Sequence, residues 1–246
     1  MPELEVHWKG RIPLEDVRWE MIPDSEMILP PDLEERREAL WRKTLDDYPD
    51  SYDGELLFLS EFLVESASVF MRTASVRFSR IRTLVSEGRN LGEYGCLGFQ
   101  AMIFSPDRKH ILIGERSKES MYCPLFLATP GGMLEVADIE HGFEEACMRE
   151  VREEANLNIR PHKYMIALTK EIHGNVGAVI LIETTATDSV EPSRLVEGNE
   201  EWTDGRLRWY SVDALEELDE RIMLEGVLFA TRQWKLFKNT GCSILF

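Results

Sequence analysis

Three carboxylates fall within five residues in Arg149-Glu150-Val151-Arg152-Glu153-Glu154-Ala155-Asn156-Leu157. A helix turns about 100° per residue, so Glu150, Glu153 and Glu154, at i, i+3 and i+4, share one face. Like charges that close repel by a few tenths of a kcal/mol per pair on an exposed helix. A divalent cation removes that repulsion. Mg²⁺, or Mn²⁺ in its place, prefers carboxylate oxygens, keeps several waters and completes its shell with substrate phosphates. The pattern therefore reads as a metal site for phosphate chemistry, with Glu150, Glu153 and Glu154 as ligands.

Glutamate pairs on helices are more often solvated faces than sites. Two further features outweigh that reading. Pro130-Gly131-Gly132 supplies a turn upstream of the helix, where glycine permits close backbone approach to a ligand. Cys147, Val151 and Ala155 form an apolar i, i+4, i+8 stripe beside the acids, so the helix can bury one side and hold the carboxylates at its edge.

Gly132 followed by Arg149-Glu150-Val151-x-Glu153-Glu154-x-x-Leu157 resembles the signature of the Nudix hydrolases. The resemblance implies a divalent metal, cleavage of a diphosphate linked to another group, and an α/β fold: an α/β/α sandwich with a mixed sheet. It gives Glu153 a catalytic as well as a metal-binding part, Arg149 the part of a site organiser, and Gly131 and Gly132 a part in substrate binding. The loop between Gly132 and Arg149 is three residues longer than the family pattern, and Glu135, Asp138 and Glu140 are all candidates for its acidic position. Asn156 replaces the usual glycine after the glutamates, a mild change because asparagine tolerates the left-handed conformation that ends helices.

The family often takes its water-activating base from another loop. Glu197, Glu200 and Glu201 lie in such a loop, with Glu200 and Glu201 the better placed. Glu183, His141 and His173 are alternatives by chemistry. Arg77, Arg80, Arg82 and Arg89 make a basic stretch in an acidic chain, from which Arg80 and Arg82 are expected to meet substrate phosphate through their planar forks. Trp19, Tyr52 and Phe78 could stack on a base.

The elements that must position these groups divide at residue 91. Residues 1–91 are expected to form a smaller α+β domain, with a helix over 33–45 capped by Asp32, Leu40 and Trp41 in its core, and short strands over 55–60, 62–66 and 68–73. Residues 92–246 carry the Nudix-like domain. Its strands are expected over 97–104, 110–115, 164–171, 177–185 and 206–211. Helices are expected over 142–156, from 213 and over 223–238.

The extra N-terminal region and the lengthened loop are similar to a Nudix branch that hydrolyses UDP-glucose and UDP-galactose to UMP and a sugar 1-phosphate. ADP-ribose or another ADP-sugar is the rival substrate class. A nucleotide-sugar sensor without turnover and a scaffold module are readings of other kinds. The intact Arg-Glu-x-x-Glu-Glu core argues against the sensor.

A formal charge of −17, from 28 basic and 45 acidic residues, argues against nonspecific nucleic-acid or anionic-membrane binding. The expected partner is a small nucleoside diphosphate derivative. Four scattered cysteines, no C-x-x-C pair, no long apolar run and an acidic N-terminus without a signal pattern give a cytoplasmic expectation. The sequence carries no indication of oligomeric state.

Overall fold

The computed structural model describes residues 3–49, 51–65, 68–89, 91–160, 163–170, 177–187, 190–191 and 194–245. The chain opens with β1 (Val6–Pro13) and β2 (Val17–Glu26), joined by a single 3-10 turn. Then follow α1 (Pro31–Asp47), β3 (Glu55–Glu65), β4 (Ser68–Arg77) and α2 (Phe78–Ser86). The second part comprises β5 (Gly95–Phe104), β6 (His110–Arg116), β7 (Leu127–Ala128), β8 (Gly131–Met133), α3 (Asp138–His141) and α4 (Phe143–Ala155). It ends with β9 (Tyr164–Lys170), β10 (Gly177–Thr185), β11 (Val196–Glu197), β12 (Trp202–Ser211) and α5 (Glu225–Thr240). No helix among the described residues is long and apolar enough to cross a membrane.

One mixed sheet takes in all these strands, with the path β1-β9-β10-β5-β3-β4-β2 and β6, β7, β8, β11 and β12 branching from it. The sheet crosses the expected 91/92 division twice: β1 pairs antiparallel with β9, and Phe58 and Leu59 of β3 pair with Cys96 and Gly95 of β5. Consecutive strands β1 and β2 sit at opposite ends of the path, so the sheet curls around what lies between them. That is α4. Its Phe143, Ala146, Cys147, Val151 and Ala155 share one core cluster with Val17, Leu57, Leu59, Val69 and Met71 from the N-terminal strands. The N-terminal region thus walls in the carboxylate-bearing helix. On the other face of β5, Met102 and Phe104 pack with Val227, Leu228 and Ala230 of α5.

Several local expectations are corrected. Asp32 does not cap α1: the helix begins two residues earlier than expected, at Pro31, whose ring presets the helical φ, and Pro30 stands at the cap position without a side-chain bond. Leu40 and Trp41 are only half buried, and α1 buries Leu33 and Thr44 instead. The three short strands over 55–73 are two long ones, β3 and β4, paired as a hairpin. The helix expected from Asp213 is a 3-10 turn over Val212–Glu217. Ser66, Glu171 and His173, named in these expectations, lie outside the described residues.

Candidate active site

Helix α4 fans its acids from interior to solvent. Glu154 as a whole residue is 3% exposed, while the side chain of Glu150 is 17% and that of Glu153 56% exposed. The apolar stripe of Cys147, Val151 and Ala155 is fully buried beside them and fixes the helix's rotation. Asn156 ends the helix in the left-handed conformation, φ 47° and ψ 37°, with its N–H on the Arg152 carbonyl. It supplies the stop for which glycine is the usual residue.

Burial raises the pKa of the Glu154 carboxyl well above the usual carboxylate range, and repulsion from Glu201 and then Glu150 adds to it. The Gly131 N–H, 2.8 Å from Glu154 Oε2, opposes the shift. Burial also raises Glu150, against the pull of Arg149. Arg149 Nη1 lies 2.7 Å from Glu150 Oε1 and 3.2 Å from Glu153 Oε2, while Nη2 donates to Asp138 Oδ1 at 3.2 Å. Burial works against the guanidinium's charge, but Glu150, Asp138 and Glu153 outweigh it and hold Arg149 more basic than usual.

Two glycines shape the opposing wall. A Cβ at Gly131 would lie 2.1 Å from the Phe99 carbonyl oxygen, and one at Gly132 would lie 3.1 Å from Glu150 Oε2. Both are held on β5 by β8, with Gly131 opposite Gln100 and Gly132 opposite Phe99. Among the described residues, no three His, Cys, Asp or Glu side chains stand as a ready-made metal cluster, and Glu153 is drawn onto Arg149. The donor set still suits a hard cation. Glu154 is a buried and Glu150 a half-buried oxygen donor, the charged form of each disfavoured as it stands, beside a glycine wall that leaves Glu150 room.

The three acids of the long loop after Gly132 differ in their surroundings. Of its three candidates, Asp138 is buried, accepts Arg149 on Oδ1 and accepts the Glu135 N–H on Oδ2 at 2.9 Å. Glu135 lines the pocket, whereas Glu140 and His141 are exposed.

The loop before β12 brings one acid to the same place. Trp202 is buried, donates its indole N–H to the Glu154 carbonyl at 3.1 Å, and packs on Gly114, where a Cβ would meet its ring at 2.2 Å. This anchors Glu201, whose N–H donates to Asn199 Oδ1 at 3.0 Å and whose carbonyl accepts the Ser117 N–H at 2.7 Å. Its carboxylate lies 3.5 Å from Arg116 Nη1. Glu200 and Glu197 are exposed. Glu183 is buried elsewhere, paired with Arg108 at 2.6 Å and Arg11 at 3.2 Å.

A pocket of about 360 Å³ joins these groups: Glu150, Glu154, Glu201, Arg116, Gly131 and Gly132 all line it. Its remaining walls include Phe78, Tyr122, Gln100, Thr129 and Glu225. Arg80 and Arg82 are not among the lining residues; Arg80 pairs with Glu26 and Glu34 and bonds the Met27 carbonyl, and Arg82 Nε is buried without a hydrogen-bond partner. Of the three aromatic candidates only Phe78 reaches the pocket, since Trp19 packs edge-on against Phe143 and Tyr52 is exposed.

Sequence reasoning missed Arg116, Gln100, Thr129 and Glu225. No motif marks them. The signal for Arg116 was a lone cation at the end of a strand otherwise apolar over Ile111–Ile113.

A family model described as the NUDIX domain matches residues 97–227. Among solved structures, the chain is similar to the MutT protein from Methanosarcina mazei Go1, at 17% identity over 61% of this chain and 99% of that one, TM-score 0.43. It is similar to the NUDIX domain of Shewanella oneidensis NrtR, complexed with ADP ribose, at 14% identity over 57% and 88%, TM-score 0.42. It is also similar to a bifunctional NMN adenylyltransferase/ADP ribose pyrophosphatase from Francisella tularensis, complexed with AMP and a Mn ion, at 18% identity over 65% and 47%, TM-score 0.40. No curated protein matches.

Proposed function

Because the chain belongs to the Nudix family, we propose that its carboxylate-lined pocket hydrolyses the diphosphate of a nucleoside diphosphate sugar such as UDP-glucose, giving a nucleoside monophosphate and a sugar 1-phosphate. Membership makes the chain a pyrophosphohydrolase. The observation that carries the rest is a single pocket holding Glu150, Glu154 and Glu201 together with Phe78.

Glu150, Glu153 and Glu154 would hold Mg²⁺ or Mn²⁺. Such an ion, when bound, neutralises diphosphate charge and polarises the phosphoryl oxygens. The chain's own groups do the remainder. Glu201, fixed through its backbone on both sides, takes the proton from the attacking water. Arg116 aims that carboxylate and offers its fork to phosphate, the part first assigned to Arg80 and Arg82. Arg149 holds Asp138 and Glu150 together, so the glycine turn and helix keep their spacing. Gly131 and Gly132 line the pocket, and their missing side chains let that wall lie close to β5 and to Glu150, where the diphosphate would bind. Phe78 offers a face to the base. The free thiols fit a reducing, cytoplasmic setting.

The test is nucleoside monophosphate release with Mg²⁺ and with Mn²⁺ from UDP-glucose, UDP-galactose, ADP-ribose, ADP-glucose, NADH and nucleoside triphosphates. UMP from the UDP-sugars supports the reading. AMP from the adenine compounds alone keeps the chemistry and replaces the nucleotide. No release, with binding of the same compounds retained, replaces the enzyme by a sensor.

A further inference from the structure

One wall of the pocket has no part in the chemistry described. Gln100 of β5 donates from Nε2 to Glu225 Oε2 at 2.8 Å and accepts the Gly226 N–H on Oε1 at 2.7 Å. An N–H requires the amide oxygen and a carboxylate requires the amide nitrogen, so both contacts impose the same amide orientation. Glu225 is fully buried at the first turn of α5. Beside them, Thr129 Oγ1 is buried without a hydrogen-bond partner, although its residue lines the pocket. A Cβ on Gly226 would come 2.7 Å from Thr129 Oγ1 and 2.8 Å from Gln100 Oε1, so the two polar groups converge where glycine leaves room. An orphaned buried hydroxyl is unfavourable unless something pairs with it.

The strand itself acts as a ruler. Cys96, Gly98 and Gln100 alternate onto one face of β5, and all three line the pocket. At about 3.3 Å per residue, Cys96 and Gln100 lie about 13 Å apart. Phe78 packs against the cluster containing Cys96. Gly131 and Gly132, which carry the carboxylate contacts, sit opposite Gln100 and Phe99. The aromatic end at Cys96 is thus set apart from the carboxylates, and the polar wall at Gln100 lies beside them.

We propose that Gln100 and Thr129 form a subsite for the hydroxyls of the sugar, with Glu225 as the residue that positions Gln100. This rests on the nucleotide-sugar reading above. Hydroxyls both donate and accept, as this wall does. A fully ionised phosphate suits this wall less, because it has no hydrogen to donate to the Gln100 Oε1 acceptor. The subsite therefore favours a sugar over a third phosphate.

The experiment compares kcat/KM for the nucleotide sugar that the wild type cleaves best with kcat/KM for the β-methyl ester of the same nucleoside diphosphate, which lacks the sugar. Thr129→Val is expected to reduce the preference for the sugar about tenfold, largely through KM, and Thr129→Ser to restore it. Glu225→Gln is expected to shift selectivity toward the nucleoside triphosphate. A preference insensitive to Thr129→Val, an equal loss in Thr129→Ser, or unchanged triphosphate selectivity in Glu225→Gln overturns the subsite alone. A wild type that cleaves no nucleotide sugar overturns the reading on which it rests, and the subsite with it.

Discussion

Asp138 and Arg149 are joined across the loop and helix of the site, Arg149 Nη2 donating to Asp138 Oδ1 at 3.2 Å. The same carboxylate receives the Glu135 N–H on its other oxygen, so one buried side chain ties turn, loop and helix. Removing it leaves a backbone donor unpaired and frees Arg149 to lean wholly on Glu150 and Glu153. Asp138→Ala should cost about 1–3 kcal/mol of stability and lower kcat. Asp138→Asn keeps an acceptor for one partner and should fall between. Thermal melts with kcat at saturating Mg²⁺ measure both, and a full-activity Asp138→Ala protein contradicts the organising role.

The raised pKa of Glu154 makes stability depend on pH in a definite direction. A carboxyl raised in the folded state contributes its full stability below its unfolded value. That contribution is lost as pH rises through the folded value. The metal-free protein should therefore lose stability as pH climbs out of the ordinary carboxylate range. A divalent ion compensates the ionised form, so the Mg²⁺-induced rise in Tm should grow with pH. Melts with EDTA and with Mg²⁺ across the pH range test this. A metal shift that shrinks with rising pH runs against it.

Glu200 and Glu201 are neighbours with opposite fates, one exposed and one on the pocket wall. Glu201→Gln should lower kcat by about 10²–10⁴, the range of a general base, with a smaller change in KM. Glu200→Gln should stay within about twofold of wild type. The kcat and KM of the two variants, measured side by side at saturating Mg²⁺, decide.

Residues 1–91 supply Leu57, Val69 and Met71 to the core that packs α4. Leu57→Ala should cost about 2–5 kcal/mol, and the whole chain should melt in one transition. Two separate calorimetric transitions would show instead that the N-terminal strands fold independently of the carboxylate helix.

The helix carrying the acids was legible because its signals are local. Its apolar stripe, its glutamate spacing and the asparagine at its end all lie within one segment; the stripe is buried and the asparagine ends the helix as read, while the glutamates spread from interior to solvent. Strand β10 was likewise legible from the unbroken apolar run Ala178–Ile182 that follows a glycine. The missed strands β1 and β2 are partly a matter of pattern left unread: Val17, Trp19 and Met21 alternate with Arg18 and Glu20. Their place in the sheet was not legible, because the pairing of β1 with β9 joins segments over 150 residues apart and depends on the whole fold. The same holds for the pocket. Arg116, Thr129, Gln100 and Glu225 come from separate elements, and nothing local in any of them marks convergence. Arg80 shows the opposite error: a cation in a basic stretch was read toward phosphate, while Glu26 and Glu34, distant in sequence, claim it.

The central claim is that the α4 carboxylates hold the ion on which phosphoanhydride cleavage depends. The direct measurement is Mg²⁺-dependent nucleoside monophosphate release by wild type, Glu153→Gln and Glu154→Gln, with far-UV circular dichroism to confirm that each is folded. The account predicts turnover by the wild type that disappears with EDTA, and at least a 10²-fold loss in each folded variant, on the order of 3 kcal/mol or more in the barrier. Wild-type rates in either folded variant would contradict it.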